Sequence, residues 1–340
     1  MSRPDVTTAP RAKSSTPSRS EDGYMSENHM PDTLSIPSVG DRVGRHSCLS
    51  LEEIIRQVRD LPTLPEVVLR VAEMVNNPRT SAKDLGKMVA HDQVQTARLL
   101  KLVNSSYYGF PREITKITTA IVVLGFNSIK QLLLSSAVFE LFGHEKIDGF
   151  CRIDLLRHAI GTAIASRTIG RHLGHPELEE LFVAGLLHDI GKVVMDRYFH
   201  EEYVEVLRRT AQEDITFYTA ERDLLDYDHT VVGQMLATHW RLPDKLTVII
   251  ANHHHPASAG RHGRDTAIVH LADILAKAKL FGSGGDKVMP ELDPWSWEFL
   301  ALDPAKLEPI MAELEEKYPQ VVAMFEMDDP EGAPDYSQPG

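Results

Sequence analysis

Cysteine is nearly missing from this 340-residue chain: Cys48 and Cys151 are the only two and stand far apart. A disulfide framework and a cysteine-based zinc site are therefore excluded, and a reducing compartment is expected. No apolar run approaches the roughly 18 residues of a membrane span. The start, Met1-Ser2-Arg3-Pro4-Asp5, lacks the apolar stretch of a secretory signal, so a cytoplasmic location is expected. Basic charge is also in short supply. Lys plus Arg number 36 against 49 Asp plus Glu, a net charge of −13. That balance argues against wholesale binding to nucleic acid or to an anionic membrane. The acidity is local: residues 286–340 hold fourteen acidic and three basic residues, whereas 1–48 hold six of each. Strand-like alternation is lacking too; the apolar run Ile121-Val122-Val123-Leu124 reads as a buried helix segment.

What is present is helical periodicity. Residues 1–48 contain 18 Ser, Thr or Pro residues and read as a disordered extension. From Leu49 onward apolar residues recur at helical spacing, as in Leu51, Ile54, Ile55 and Val58. Pro65 suits a helix start. Ser81-x-x-Asp84 resembles a capping box with Asp in the usual Glu or Gln place. Further helices are expected at 115–124, 127–142, 152–173, 178–188 with a break at Gly191, 200–212, 216–226, 229–240, 243–253 and 265–280. The expected fold is all-α, with two packed helical lobes at 49–143 and 144–285. An acidic segment at 286–340 carries one helix near 304–318.

Histidine is the informative residue. Thirteen of the sixteen lie between His144 and His270, the clustering an imidazole-liganded metal site produces. His188-Asp189 ends the apolar helix Leu181–Leu187, where half-buried polar groups need partners. A metal satisfies both; so does a solvated helix end. Asp154 and His158 stand at i, i+4. His229 starts an apolar helix, His253-His254-His255 closes another, and Asp273 sits amid aliphatics in Val269–Leu275. Each feature alone has a structural explanation. Together they place ligand-type side chains on or at apolar helices of one half.

In order and context, His158, His188-Asp189 and Asp273 resemble the H…HD…D pattern of the HD phosphohydrolase superfamily. His229, His253 and His254 are similar to the extra histidines of its two-metal relatives, the HD-GYP cyclic-dinucleotide phosphodiesterases. Asp154 stands where some of those carry a further carboxylate, and Lys192 where the HD-x-x-K lysine faces phosphate. After His254 the chain reads His255-Pro256-Ala257-Ser258-Ala259-Gly260, without a Gly-Tyr-Pro motif, which speaks against cyclic-di-GMP hydrolysis. The closer resemblance is to the HDOD (HD-related output domain) family. It rests on Leu61-Pro62-Thr63-Leu64-Pro65, on His91-Asp92 through Tyr107-Tyr108-Gly109, and on Ile117-Thr118-Thr119-Ala120 through Gly125. It covers about 49–280.

The resemblance implies a bacterial signal-transduction output module built on a metal-binding HD-type site, with a signalling protein as partner. Many HDOD proteins have lost metal ligands; this chain keeps the set. The alternative it implies is a metal-dependent phosphohydrolase acting on a nucleotide or other phosphoester. In that reading His158, His188, Asp189, His229, His253, His254 and Asp273, with Asp154 as a further candidate, hold two divalent ions bridged by Asp189. Asp189 and Lys192 are the catalytic candidates, with Lys192 stabilising developing charge. Five imidazoles with two or three carboxylates suit iron, manganese or zinc better than calcium. Ser81 to Asn104 also reads as helix, turn, helix. Its surroundings, 49–130, carry only eleven basic against eight acidic residues, too mild for a strong DNA footprint.

Overall fold

The computed structural model describes residues 61–105, 107–142, 146–147 and 150–326. The extension 1–48, the pattern at 51–58, His144 and residues 327–340 lie outside them. The first half holds α1 (Glu66–Val75), α2 (Ala82–Ala90), α3 (Gln93–Val103), α4 (Ile117–Leu124) and α5 (Phe126–Phe142). Pro65 is the residue before α1, and Val67, Val68 and Val71 form its inward face. The capping box is made: Ser81 Oγ accepts the Asp84 N–H while Asp84 accepts the Ser81 N–H, both at 3.2 Å. Asp92 caps α3 by accepting the Gln95 N–H at 3.0 Å. The run Ile121–Leu124 is helical, but it is not buried all round. Ile121 faces the core, whereas Val122 and Val123 are 75% and 52% exposed.

A two-residue antiparallel pair, Lys146–Ile147 with Phe150–Cys151, leads into the second half. There follow α6 (Arg152–His172), α7 (Leu178–Leu187), α8 (Ile190–Tyr198), α9 (His200–Glu213), α10 (Phe217–Leu224), α11 (His229–His239) and α12 (Asp244–Asn252). A 3₁₀ turn at Pro256–His262 precedes α13 (Gly263–Ala278), and α14 (Pro294–Leu300) and α15 (Leu307–Glu326) close the described chain. The long α6 is buried on every side from Leu155 to Ile160 except at Arg157, and it packs against α7, α13 and α15. A helix covered on nearly all sides, its buried polar groups included, lies in the middle of the core.

Two helix limits also need correction. The chain breaks at His188-Asp189 rather than at Gly191, which lies inside α8. Gly191 serves close approach instead: a Cβ there would lie 1.9 Å from the His229 carbonyl oxygen of α11. The C-terminal helix begins near its expected place but runs on through Pro319 to Glu326. Its contacts with α6 and the stacking of Tyr318 on Phe281, centroids 3.8 Å apart, outweigh the hydrogen bond that proline removes.

The halves are joined by polar contacts as well as by core. The Trp240 indole N–H donates to the Pro62 carbonyl at 2.6 Å. The Tyr108 hydroxyl donates to Glu179 of α7, and Arg167 of α6 lies over the Tyr107 ring while pairing with Glu179 at 2.9 Å. Among the described residues no helix is long and apolar enough to cross a membrane.

Candidate metal centre

Backbone proximity builds the site. Gly185 of α7 lies so near α6 that a Cβ would meet Ser166 Oγ at 2.6 Å and the Thr162 carbonyl at 2.7 Å. This approach sets the His188 ring 5.4 Å from the His158 ring. The equally tight contact at Gly191 carries Asp189 toward His229. Asp228 caps α11, accepting the Thr230 N–H at 2.9 Å, and thereby fixes His229 at the helix start.

Seven predicted ligands converge. Around Asp189 Oδ2 lie His188 Nε2 at 3.4 Å and His158 Nε2 at 3.8 Å. Asp273 Oδ1 lies 2.9 Å from His158 Nε2 and 3.7 Å from His188 Nε2. Asp189 Oδ1 faces the other way, 3.1 Å from His229 Nε2 and 3.6 Å from His253 Nε2. His229 Nε2 is 3.3 Å from His253 Nε2 and 3.0 Å from His254 Nε2. Asp154 is not brought to this cluster. Its carboxylate is 39% exposed and accepts from Arg157 at 3.1 Å; it stands in the first turn of α6, one turn nearer the helix end than the buried His158.

These atoms fit a cation on two grounds. His158 Nε2, His188 Nε2, Asp189 Oδ1 and Asp273 Oδ1 are buried and make no well-directed hydrogen bond, although members of the same cluster lie as near as 2.9 Å; buried polar atoms rarely stay so unless something else satisfies them. The spacing fits too. Ligands about 2.1 Å from one divalent ion lie about 3.0 to 3.4 Å apart in octahedral or tetrahedral arrangement; the separations above bracket that range.

The ring orientations are held from behind. His188 Nδ1 and His253 Nδ1 face the Gly185 and Ile250 carbonyls at 2.7 and 2.9 Å. A carbonyl only accepts, so each Nδ1 carries a proton and Nε2 is the ring atom turned to the cluster, offering its lone pair once it is deprotonated. His229 Nδ1 meets Glu221 Oε2 at 2.6 Å, and Glu221 Oε1 accepts the His229 backbone N–H. Burial resists charging His188 and His229, but Asp189 and Glu221 respectively outweigh it, and both pKa values rise to about 9. Burial and the neighbouring imidazoles push His253 and His254 well below the usual histidine range. Burial favours protonation of Asp189, but Lys192 and His188 hold its pKa well below the usual carboxylate range.

Lys192 is not the solvated helix-end cation its sequence position allows. It lies in the first turn of α8, 1% exposed, and its ammonium donates to Asp189 Oδ2 and to the Gly284 carbonyl, both at 2.8 Å. Three site neighbours escape the sequence reading. Glu221 lies on a separate helix from His229, and no spacing marks it. Lys277, which donates to Asp273 Oδ2 at 2.8 Å, stands at i+4 from that residue and was legible as a pair. Asp286, 2.9 Å from Lys277, is hidden among the acidic residues after Gly285.

The comparisons with known proteins agree with this architecture. An uncharacterized protein of Treponema pallidum (strain Nichols) is 25% identical over 202 residues, 59% of this chain. The chain spans 39% of the length of that curated relative. The crystal structure of an HDOD domain protein of unknown function from Geobacter sulfurreducens superposes with a TM-score of 0.67 at 28% identity, covering 81% of this chain and 95% of its own. A Shewanella amazonensis SB2B protein named "Putative phosphohydrolase" superposes with a TM-score of 0.62 at 26% identity, covering 80% and 97%. The HDOD domain family pattern matches residues 61–256, more than half of the sequence, so the chain belongs to the HDOD domain family.

Proposed function

We propose that the protein is a signal-transduction output module built on a divalent metal centre that binds a phosphoester. The observation that carries this reading is the convergence of His158, His188, Asp189, His229, His253, His254 and Asp273, with four of their polar atoms buried and lacking a well-directed hydrogen bond. Asp189, with one oxygen toward His158 and His188 and the other toward His229 and His253, is the residue that would be shared if two ions were held. A bound divalent ion supplies Lewis acidity toward a phosphoryl group. The chain's own groups hold the rings in one tautomer, keep Asp189 ionised and place the Lys192 ammonium beside it. In this reading the half at 49–143 presents the surface for a signalling partner, and the protein works in the cytoplasm.

Elemental analysis of the untagged protein tests the centre. Near-stoichiometric iron, manganese or zinc is expected, in up to two equivalents, and Asp189→Ala should lose it. Unchanged metal content in that variant ends the proposal.

A second reading, phosphoester hydrolysis, is favoured by the same two-sided Asp189. It requires metal-dependent turnover of a generic phosphodiester that vanishes in His188→Ala. Absence of turnover across nucleotide substrates in metal-loaded protein leaves the output module.

A further inference from the structure

The loop after α13 lies against the site. Its backbone amide at Ser283 donates to the Asp154 carbonyl of α6 at 2.9 Å. Gly284 passes so close that a Cβ would sit 3.3 Å from Asp189 Oδ2, 3.3 Å from His158 Cδ2 and 3.4 Å from Lys192 Nζ. Any larger side chain would enter the ligand cluster. Gly282 has φ +64°, and a Cβ there would lie 2.1 Å from the Asp154 carbonyl oxygen. Asp286 fastens the far end. One carboxylate oxygen accepts the Phe217 N–H of α10 at 2.6 Å, and the other lies 2.9 Å from Lys277 Nζ. The Lys192 ammonium is thereby enclosed. Asp189 takes one direction, the Phe217 ring lies 4.8 Å away in another, and the Gly284 carbonyl oxygen occupies a third. A carbonyl oxygen accepting from a buried ammonium has the chemistry of a phosphoryl oxygen in the same place.

We propose that Gly282–Asp286 is a strap that withholds Lys192 from a phosphoester until it lifts. The inference rests on the phosphoester reading above for its ligand, but the strap itself is tested without that ligand. Lifting breaks the Lys192–Gly284 bond, the Ser283–Asp154 backbone bond and the two Asp286 contacts. It leaves the Nδ1 contacts of His188, His229 and His253 untouched, since none involves the strap.

The full chain, loaded with manganese, is treated with an amine-acylating reagent, and modification at Lys192 is read by mass spectrometry. Lys192 is expected to be protected in the wild-type chain. Asp286→Ala removes both anchors and should speed its labelling about tenfold, the scale of one charge-assisted hydrogen bond lost. Asp286→Asn keeps an acceptor for the Phe217 N–H and serves if the alanine variant does not fold; its labelling should also exceed wild type. Equal labelling in wild type and variant overturns the strap. Inorganic phosphate, titrated by calorimetry, should bind about tenfold tighter to the lifted variant. Faster labelling with no phosphate binding in either chain keeps the strap and overturns the phosphoester reading. Equal phosphate binding with Lys192 still protected overturns the strap alone.

Discussion

At the scale of single residues, the centre is an arrangement of proton positions. Asp189 and Glu221 hold His188 and His229 in the charged form in the metal-free chain, with pKa values near 9 against burial. The ordinary histidine value is about 6.5. A pKa raised by folding contributes stability that is complete below about pH 6.5 and lost as pH climbs through about 9. The chelator-treated protein should therefore melt at progressively lower temperature across that interval. Metal ligation needs the neutral rings, so binding should release protons and strengthen over the same range. Thermal melts against pH, with calorimetry in buffers of different ionisation enthalpy, measure both. A melting temperature that rises between pH 6.5 and 9 without metal would contradict the assigned protonation of these two histidines.

At the scale of elements, the centre depends on how near helices approach. His188, Asp189 and Lys192 belong to the α7–α8 turn, and that turn meets α11 through Gly191. A methyl group 1.9 Å from the His229 carbonyl oxygen cannot be accommodated by a rotamer change, because the obstacle is backbone. Gly191→Ala should cost about 3 kcal/mol of stability, the upper range for overpacking. It should also lower metal content by moving α11. Urea unfolding and elemental analysis report the two effects. A variant of wild-type stability with full metal would show that α8 and α11 are not held at this distance. Exposed Val122 and Val123 make the opposite point: an apolar run in a helix is not thereby buried, since one helix face meets the core while neighbouring positions turn away.

At the scale of the whole molecule, α6, α7, α8, α11, α12 and α13 enclose the ligand cluster, and Trp240 and Tyr108 tie the first half to that body. An ion bound only by the folded chain stabilises it by about 2.7 kcal/mol at a free concentration 100 times its Kd. Chelation should accordingly lower the melting temperature by about 5 °C. Calorimetry with and without chelator, and after manganese is restored, provides the measurement. An unchanged melting temperature after verified metal removal would mean that the ion does not select the folded state.

The helices were legible because apolar spacing and caps are local: Ser81-x-x-Asp84 and Asp92 act within one turn of their own helices. The ligand types were legible because a buried His-Asp pair among aliphatics needs a partner wherever it lies. Distance along the chain carried no such information. Asp154 and His158 share a helix and the expected i, i+4 spacing, yet only His158 turns inward, since Arg157 and solvent satisfy Asp154. Glu221, Gly284 and Asp286 acquire their roles through contacts with residues 8, 92 and 69 positions away. The sequence by itself determined an all-helical chain and the inventory of polar groups that its core has to satisfy. Tertiary structure alone decided which of those groups meet, because convergence depends on helix separations of a few ångströms that no local pattern encodes.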